Sequence, residues 1–199
     1  MILPIVYAGN IAYFNLLIQA NEPVFLDGHE HSVKQSYRNR TEIYGANGKL
    51  SLIIPLIKRN QRTPMNEVII DYRENWQKLH WKSMEAAYRS SPYFEYYEHK
   101  ISPFFSEKKY EKLVDFNLAF METILGVLGE TPRLGFTVKY EEVKGVDYRQ
   151  ELHPKRKLKE QYPKEKYMQV FDNKYGFIEN LSVLDLLFNE GPNAINFLR

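Results

Sequence analysis

Apolar positions in this chain change period several times, and the changes mark out its elements. Leu3 to Tyr7 is a short apolar run that reads as a buried strand, and Ala8-Gly9-Asn10 turns it into a helix over Ile11 to Ala20. Pro23 to Leu26 reads as a second strand, ending at Asp27-Gly28. From Thr41 to Ile57 two apolar runs flank Asn47-Gly48, which predicts a β-hairpin with a type I′ turn. Pro55 cannot donate to a ladder, so the second hairpin strand ends there or becomes an edge. Lys58 to Asn66 is a polar loop, and Val68 to Asp71 is another short strand.

The middle of the chain has helical spacing. Trp76, His80, Met84 and Tyr88 recur every four residues between Asn75 and Arg89, with Leu79, Ser83 and Ala87 alongside. Pro92 ends that helix, and Tyr93 to Tyr97 starts a shorter aromatic one. A third helix is predicted from Glu107 to Leu128, with Tyr110, Leu113, Asn117, Phe120, Ile124 and Leu128 on one stripe. Asn117 is the polar member of that stripe. Phe136 to Tyr140 reads as a strand, and residues 141–166 are densely charged and expected to be mobile. Ser182 and Asp185 resemble a capping box before VLDLLFNE, which stops at Gly191-Pro192.

These elements predict an α/β class: one mixed domain over residues 1–199, with a small sheet, a β-hairpin and several packed helices. The opening strand, turn and helix would suit a Rossmann-like N-terminal layer.

Composition narrows the function. With 27 basic and 25 acidic residues the net charge is +2, which gives no strong pull on a polyanion, so no nucleic-acid partner is expected. The absence of cysteine removes disulfides, thiolate metal sites and cysteine nucleophiles. The apolar stretch Met1 to Asn21 is interrupted by Asn10, Asn15 and Gln19 and lacks a basic flank, so no membrane span is expected and the protein is read as cytoplasmic. There is no GxGxxG, P-loop or GxSxG pattern, and no cofactor is named by the sequence.

Candidate chemistry concentrates between Glu30 and Lys49. Lys34, Gln35, Arg38, Asn39 and Arg40 place cations and amides in seven positions before the hairpin. Arginine forks suit phosphates and carboxylates, and amides suit hydroxyls, so this stretch reads either as a grip on an anionic, hydroxyl-rich ligand or as a solvated strand edge. His29 and His31 could begin a zinc site if His80 or His153 completed it through the fold, although no metal is assigned. Glu30 beside His31 is a candidate general base. His80, between Trp76 and Met84, is either a neutral base held near an apolar wall or a structural histidine bonded to backbone. Asn117 must pair with a loop or a ligand if buried. Asp147, Tyr148 and Arg149 would close over a ligand if their segment acts as a lid, or lie in an exposed loop.

Three ordered segments carry a family resemblance: KQSYRNRTEIYGANGKLSLIIPL, ENWQKLHWKSMEAAYRSSPYFEYY and LSVLDLLFNEGPNAI. They are similar to the WbqC-like family of bacterial proteins. The matching positions are Arg38, Asn39, Arg40, Asn47, Gly48 and Pro55, then Trp76, His80, Trp81, Tyr88, Pro92 and Phe94, then Ser182, Leu184, Asp185, Leu187, Phe188 and Asn189. Many members carry a histidine–glutamine–proline strand end where this chain has Tyr7-Ala8-Gly9-Asn10. If that histidine is catalytic in them, its role here is lost or passes to His29, His31 or His80.

The resemblance implies work on sugars, because the family is associated with O-antigen and related surface-polysaccharide gene clusters. The expectation is an enzyme transferring a small group to an activated sugar, nucleotide- or lipid-linked. Arg38 and Arg40 would hold phosphate, Gln35, Asn39 and Asn117 would order hydroxyls, His80 (or His31 with Glu30) would act as base, and Trp76 and Tyr88 would exclude water. The alternative is a non-catalytic binding or assembly module in the same pathway, using aromatics at Tyr93, Phe94, Tyr96 and Tyr97.

Overall fold

The computed structural model describes residues 1–58, 60, 62–141, 145–156 and 165–199. It is a mixed α/β fold whose parallel sheet runs in the order β1 (Ile2–Pro4), β2 (Val24–Asp27) and β5 (Leu134–Phe136). Helix α1 (Ile11–Ile18) connects β1 to its parallel neighbour β2, with Ile2 opposite Phe25. β1 is shorter than the apolar run because the chain leaves the sheet after Pro4, and the Tyr7 amide donates instead to the Tyr37 carbonyl at 2.9 Å.

The start of α1 does not offer the anion site that such a layer commonly has. Asn10 caps it, its Oδ1 accepting from the Tyr13 amide at 2.9 Å. The Ile11 amide donates to the Leu181 carbonyl, and the Ala12 amide to Asn180 Oδ1 at 2.9 Å. The chain's own C-terminal segment therefore sits where a phosphate would be held.

The hairpin forms a separate sheet of β3 (Arg40–Gly45) and β4 (Gly48–Ile53), with Arg40 opposite Ile53 and Gly45 opposite Gly48. Its turn is not type I′. Ala46 and Asn47 keep negative φ, and Gly48 alone is positive, at 95°. That is the pattern of a type I turn followed by a glycine bulge, so the glycine is needed one position later than the type I′ reading requires.

Helices α2 (Trp76–Tyr88), α3 (Phe94–Ile101), α4 (Pro103–Ser106) and α5 (Leu113–Leu128) pack over these sheets. The expected face of α2 is buried from Trp76 to Tyr88, whereas Leu79 points out to solvent. Helix α5 begins six residues later than its periodicity suggests. Residues 110–112 are occupied otherwise: the Glu111 carbonyl accepts from Ile70, Lys112 bridges to Ile69, and the Tyr110 carbonyl accepts from Tyr72 Oη. Ile69 and Ile70 make isolated bridges, to Lys112 and Leu56, instead of the regular strand expected over Val68 to Asp71. α6 (Asp172–Tyr175) and α7 (Val183–Glu190) complete the set.

No capping box forms at Ser182. Its hydroxyl accepts from the Leu184 amide, but Asp185 is turned into the core. There its two oxygens accept from Tyr88 Oη (2.8 Å), Tyr167 Oη (2.5 Å) and Gln169 Nε2 (2.9 Å). Burial raises the Asp185 carboxyl above its usual range.

A buried charge network ties the carboxyl end of β2 to distant segments. Asp27, the last residue of β2, receives Arg149 Nη1 at 2.5 Å, Thr137 Oγ1 at 2.8 Å and the His29 amide at 2.8 Å. Arg149 Nε lies 3.0 Å from both Asp147 oxygens, and the Arg149 carbonyl accepts from Arg38 Nη2 at 2.6 Å. Arg38 grips Glu30 with a two-pronged contact of 2.9 and 2.5 Å. Tyr148 and Arg149 are thus buried anchors, neither lid nor exposed loop, and Asp147 bridges to Ile2 beside β1. Of the charged stretch expected to be mobile, residues 142–144 and 157–164 lie outside the described residues.

Removing one partner of a buried ion pair leaves an uncompensated charge, which costs about 3–5 kcal/mol. Arg149→Met, which strands Asp27 without its cation, is expected to lower the unfolding free energy by that amount in urea titrations. Arg73→Met, which breaks a surface pair, is expected to change it by less than about 1 kcal/mol.

Candidate functional site

The turn at Lys34-Gln35 and the exit of β4 face each other across a cleft of about 370 Å³. Local bonding builds both walls. Ser36 Oγ donates to the Val33 carbonyl at 2.8 Å and closes the turn, in which Gln35 has φ 54°. Asn39 is then clamped to the other wall: its Nδ2 donates to the Ile54 carbonyl at 2.9 Å and its own carbonyl accepts from the Ile54 amide at 2.8 Å. Arg40 follows as the first residue of β3. Lys34, Gln35, Asn39 and Arg40 form the polar side of the cleft, and Ile53, Ile54, Pro55 and Leu56 form the apolar side.

Its electrostatics are one-sided. Neither Lys34 nor Arg40 is ion-paired among the described residues, while Arg38, Arg73, Arg89 and Arg149 all have carboxylate partners. The Nε of Arg40 is buried and has no hydrogen-bond partner. Such groups are rare in folded proteins, because an unpaired buried donor loses its water without replacement. Two more lie nearby. Asn117 donates its Nδ2 to the Arg38 carbonyl at 2.7 Å, yet its Oδ1 is unpartnered. Trp76 Nε1 is also unpartnered, and its ring lies 5.0 Å from that of His80.

The residues singled out in the sequence therefore divide. Gln35, Asn39 and Arg40 line the cleft. Arg38 and Glu30 are both buried in the charge network, where Glu30 is pushed up by burial against the pull of Arg38. Trp76, His80 and Asn117 lie behind the cleft wall in the core, and none lines it. Tyr88 is further off, donating to Asp185 and accepting from the Tyr44 amide at 3.1 Å.

His29 and His31 do not converge. His29 Nδ1 faces Asn66 Nδ2 at 3.4 Å, and His31 stacks on Tyr140 at 6.1 Å. Among the described residues no group of three or more His, Cys, Asp or Glu side chains is placed to hold a metal ion. Nor is any helix among them long and apolar enough to cross a membrane. Sequence reasoning missed the apolar wall at Ile53–Leu56 as part of the site. The proline that ends β4 was its only signal.

The cleft can bind but brings no titratable base of its own, since no His, Asp or Glu lines it. His80 is held in the aromatic core. Its Nδ1 lies 3.0 Å from Tyr7 Oη, and burial lowers its pKa to about 4, against a smaller upward pull from the Ile53 backbone. A base whose folded pKa is depressed contributes stability above its unfolded value, near 6.5. That contribution is lost as pH falls toward 4, on the order of 3 kcal/mol in all at 1.36 kcal/mol per unit. Urea midpoints measured from pH 7 to pH 4 are expected to fall more steeply for the wild type than for His80→Gln.

Comparison with known proteins places the chain by its sequence. The WbqC-like protein family matches residues 6–160. An uncharacterized protein of Mycobacterium tuberculosis, Rv1507c, is 25% identical over 213 residues, covering 94% of this chain and 91% of the relative. No solved structure matches the chain significantly.

Proposed function

The chain belongs to the WbqC-like protein family, and we propose that it binds an activated sugar, a phosphate-bearing and hydroxyl-rich small molecule, in the cleft at Arg40. The observation that carries this reading is the buried, unpartnered Nε of Arg40 at the wall of a cationic cleft. An anion drawn into the cleft supplies the missing acceptor once the Arg40 side chain turns toward it, and a hydrogen bond to a charged group is worth about 1.5–3 kcal/mol. Lys34 adds a second cation. Gln35 and the free oxygen of Asn39 suit hydroxyls, and the Ile53–Leu56 wall suits the apolar face of a ring.

The finer step, transfer of a small group to that sugar in surface-polysaccharide assembly, rests on the family resemblance. The site supports its binding half. Arg38, in its pair with Glu30, and His80, under Tyr7, stand apart from the cleft, so phosphate contact falls to Arg40 and Lys34 and a base would have to come with a second reactant. The assembly-module reading draws less support from the surface. Phe94 and Tyr97 are buried, and of the four aromatics it would use only Tyr96 is well exposed, at 65%.

Thermal unfolding with a panel of hexose 1-phosphates and nucleoside diphosphate hexoses tests this. At a hundred times its dissociation constant a ligand adds about 2.7 kcal/mol, which for a chain of this size raises Tm by roughly 5–10 °C. Arg40→Ala is expected to weaken binding by about 10–100-fold and to cut the shift to between about a half and a sixth. An equal shift in Arg40→Ala, or none in the wild type with any of the panel, overturns the reading.

A further inference from the structure

Among the described residues, three non-glycine residues have a positive φ: Ala8 at 41°, Gln35 at 54° and Asn180 at 56°. A side chain with a Cβ is disfavoured there, so each needs a reason. Two are explained by bonds within the fold. The Ala8 carbonyl accepts from both Thr41 Oγ1 and Ser182 Oγ, at 2.8 and 2.9 Å. Asn180 belongs to a type that tolerates this region, and its Oδ1 caps the Ala12 amide.

Gln35 lies in a turn that Ser36 Oγ closes onto the Val33 carbonyl, but no contact of its own side chain accounts for its φ. It sits at the centre of an exposed turn, a place where glycine would relieve the backbone at no cost to packing. Its side chain makes no hydrogen bond among the described residues, yet it lines the cleft beside Arg40. Strain of this kind persists where the surrounding structure holds it, and it clusters at ligand-binding sites.

We propose that Gln35 is the specificity-determining residue of the cleft, its amide reading a hydroxyl of the sugar while Arg40 and Lys34 hold the phosphate. This rests on the cleft reading and deepens it, because it makes the ligand a sugar phosphate distinguished from phosphate itself. A glutamine amide offers both a donor and an acceptor, which matches a hydroxyl. A bare phosphate is served by the two cations.

The experiment compares hexose 1-phosphate with inorganic phosphate by calorimetric titration, in wild type, Gln35→Ala, Gln35→Gly and Arg40→Ala. Gln35→Ala removes the amide and keeps the positive φ, whereas Gln35→Gly removes both. Both are expected to weaken hexose 1-phosphate by about 5–10-fold while leaving inorganic phosphate unchanged. Gln35→Gly alone should melt higher than wild type, by about 2–4 °C. The proposal is overturned if both variants keep the wild-type preference for hexose 1-phosphate, or if both ligands weaken equally. If Arg40→Ala loses binding while the Gln35 variants do not, the cleft stands and the role of Gln35 falls. If the wild type binds neither ligand, both fall together.

Discussion

Four charged side chains removed from water at the carboxyl end of β2 constrain this molecule more than any other contact. Asp27 and Glu30 are buried carboxylates, and a charge taken out of water needs an opposite partner, so each is met by a guanidinium. Arg149 reaches Asp27 from 122 residues away, and Arg38 reaches Glu30 within its own loop. Since Arg38 Nη2 also donates to the Arg149 carbonyl, the two pairs form one unit. The network pins residues 27–38 against the sheet and fixes where the next residues emerge. Asn39 and Arg40 follow directly, already placed at the mouth of the cleft.

This arrangement explains why the site lies at the hairpin. In a parallel layer a ligand commonly sits at the carboxyl ends of the strands, against a helix start. Here both places are taken by protein groups, the first by the charge network and the second by Leu181 and Asn180. The buried, unpartnered Nε of Arg40 lies one step along the chain, where β3 begins. Arg38 and Arg40 stand two residues apart with different tasks, one holding the loop and the other facing the cleft.

Much of the fold was legible in the sequence because it follows from period and punctuation. The buried stripe of α2, the existence of the hairpin and the stop at Gly191 all come from local patterns. What was not legible depends on partners far along the chain. The late start of α5 is set by pairing with Ile69 and Ile70, and the inward turn of Asp185 by Tyr88 and Tyr167. Within the site, the polar stretch before the hairpin was visible as a locus, but residue type could not say which arginine was paired. That required Glu30 and Arg149 to be brought against Arg38. Histidine spacing left its alternatives open for the same reason, since His80 answers to Tyr7, and His29 and His31 to separate neighbours.

The central claim is that an anion meets Arg40, whose Nε–H is the one buried guanidinium Nε–H without a partner among the described residues, and arginine side-chain NMR reads that group directly. With the Arg40 Nε–H signal assigned by Arg40→Lys, a hexose 1-phosphate is titrated into ¹⁵N-labelled protein. A large shift and slowed solvent exchange at Arg40, with Arg38 and Arg149 unmoved, is the result predicted. A still Arg40 signal, or a response centred on Arg38 or Arg149, would contradict the account.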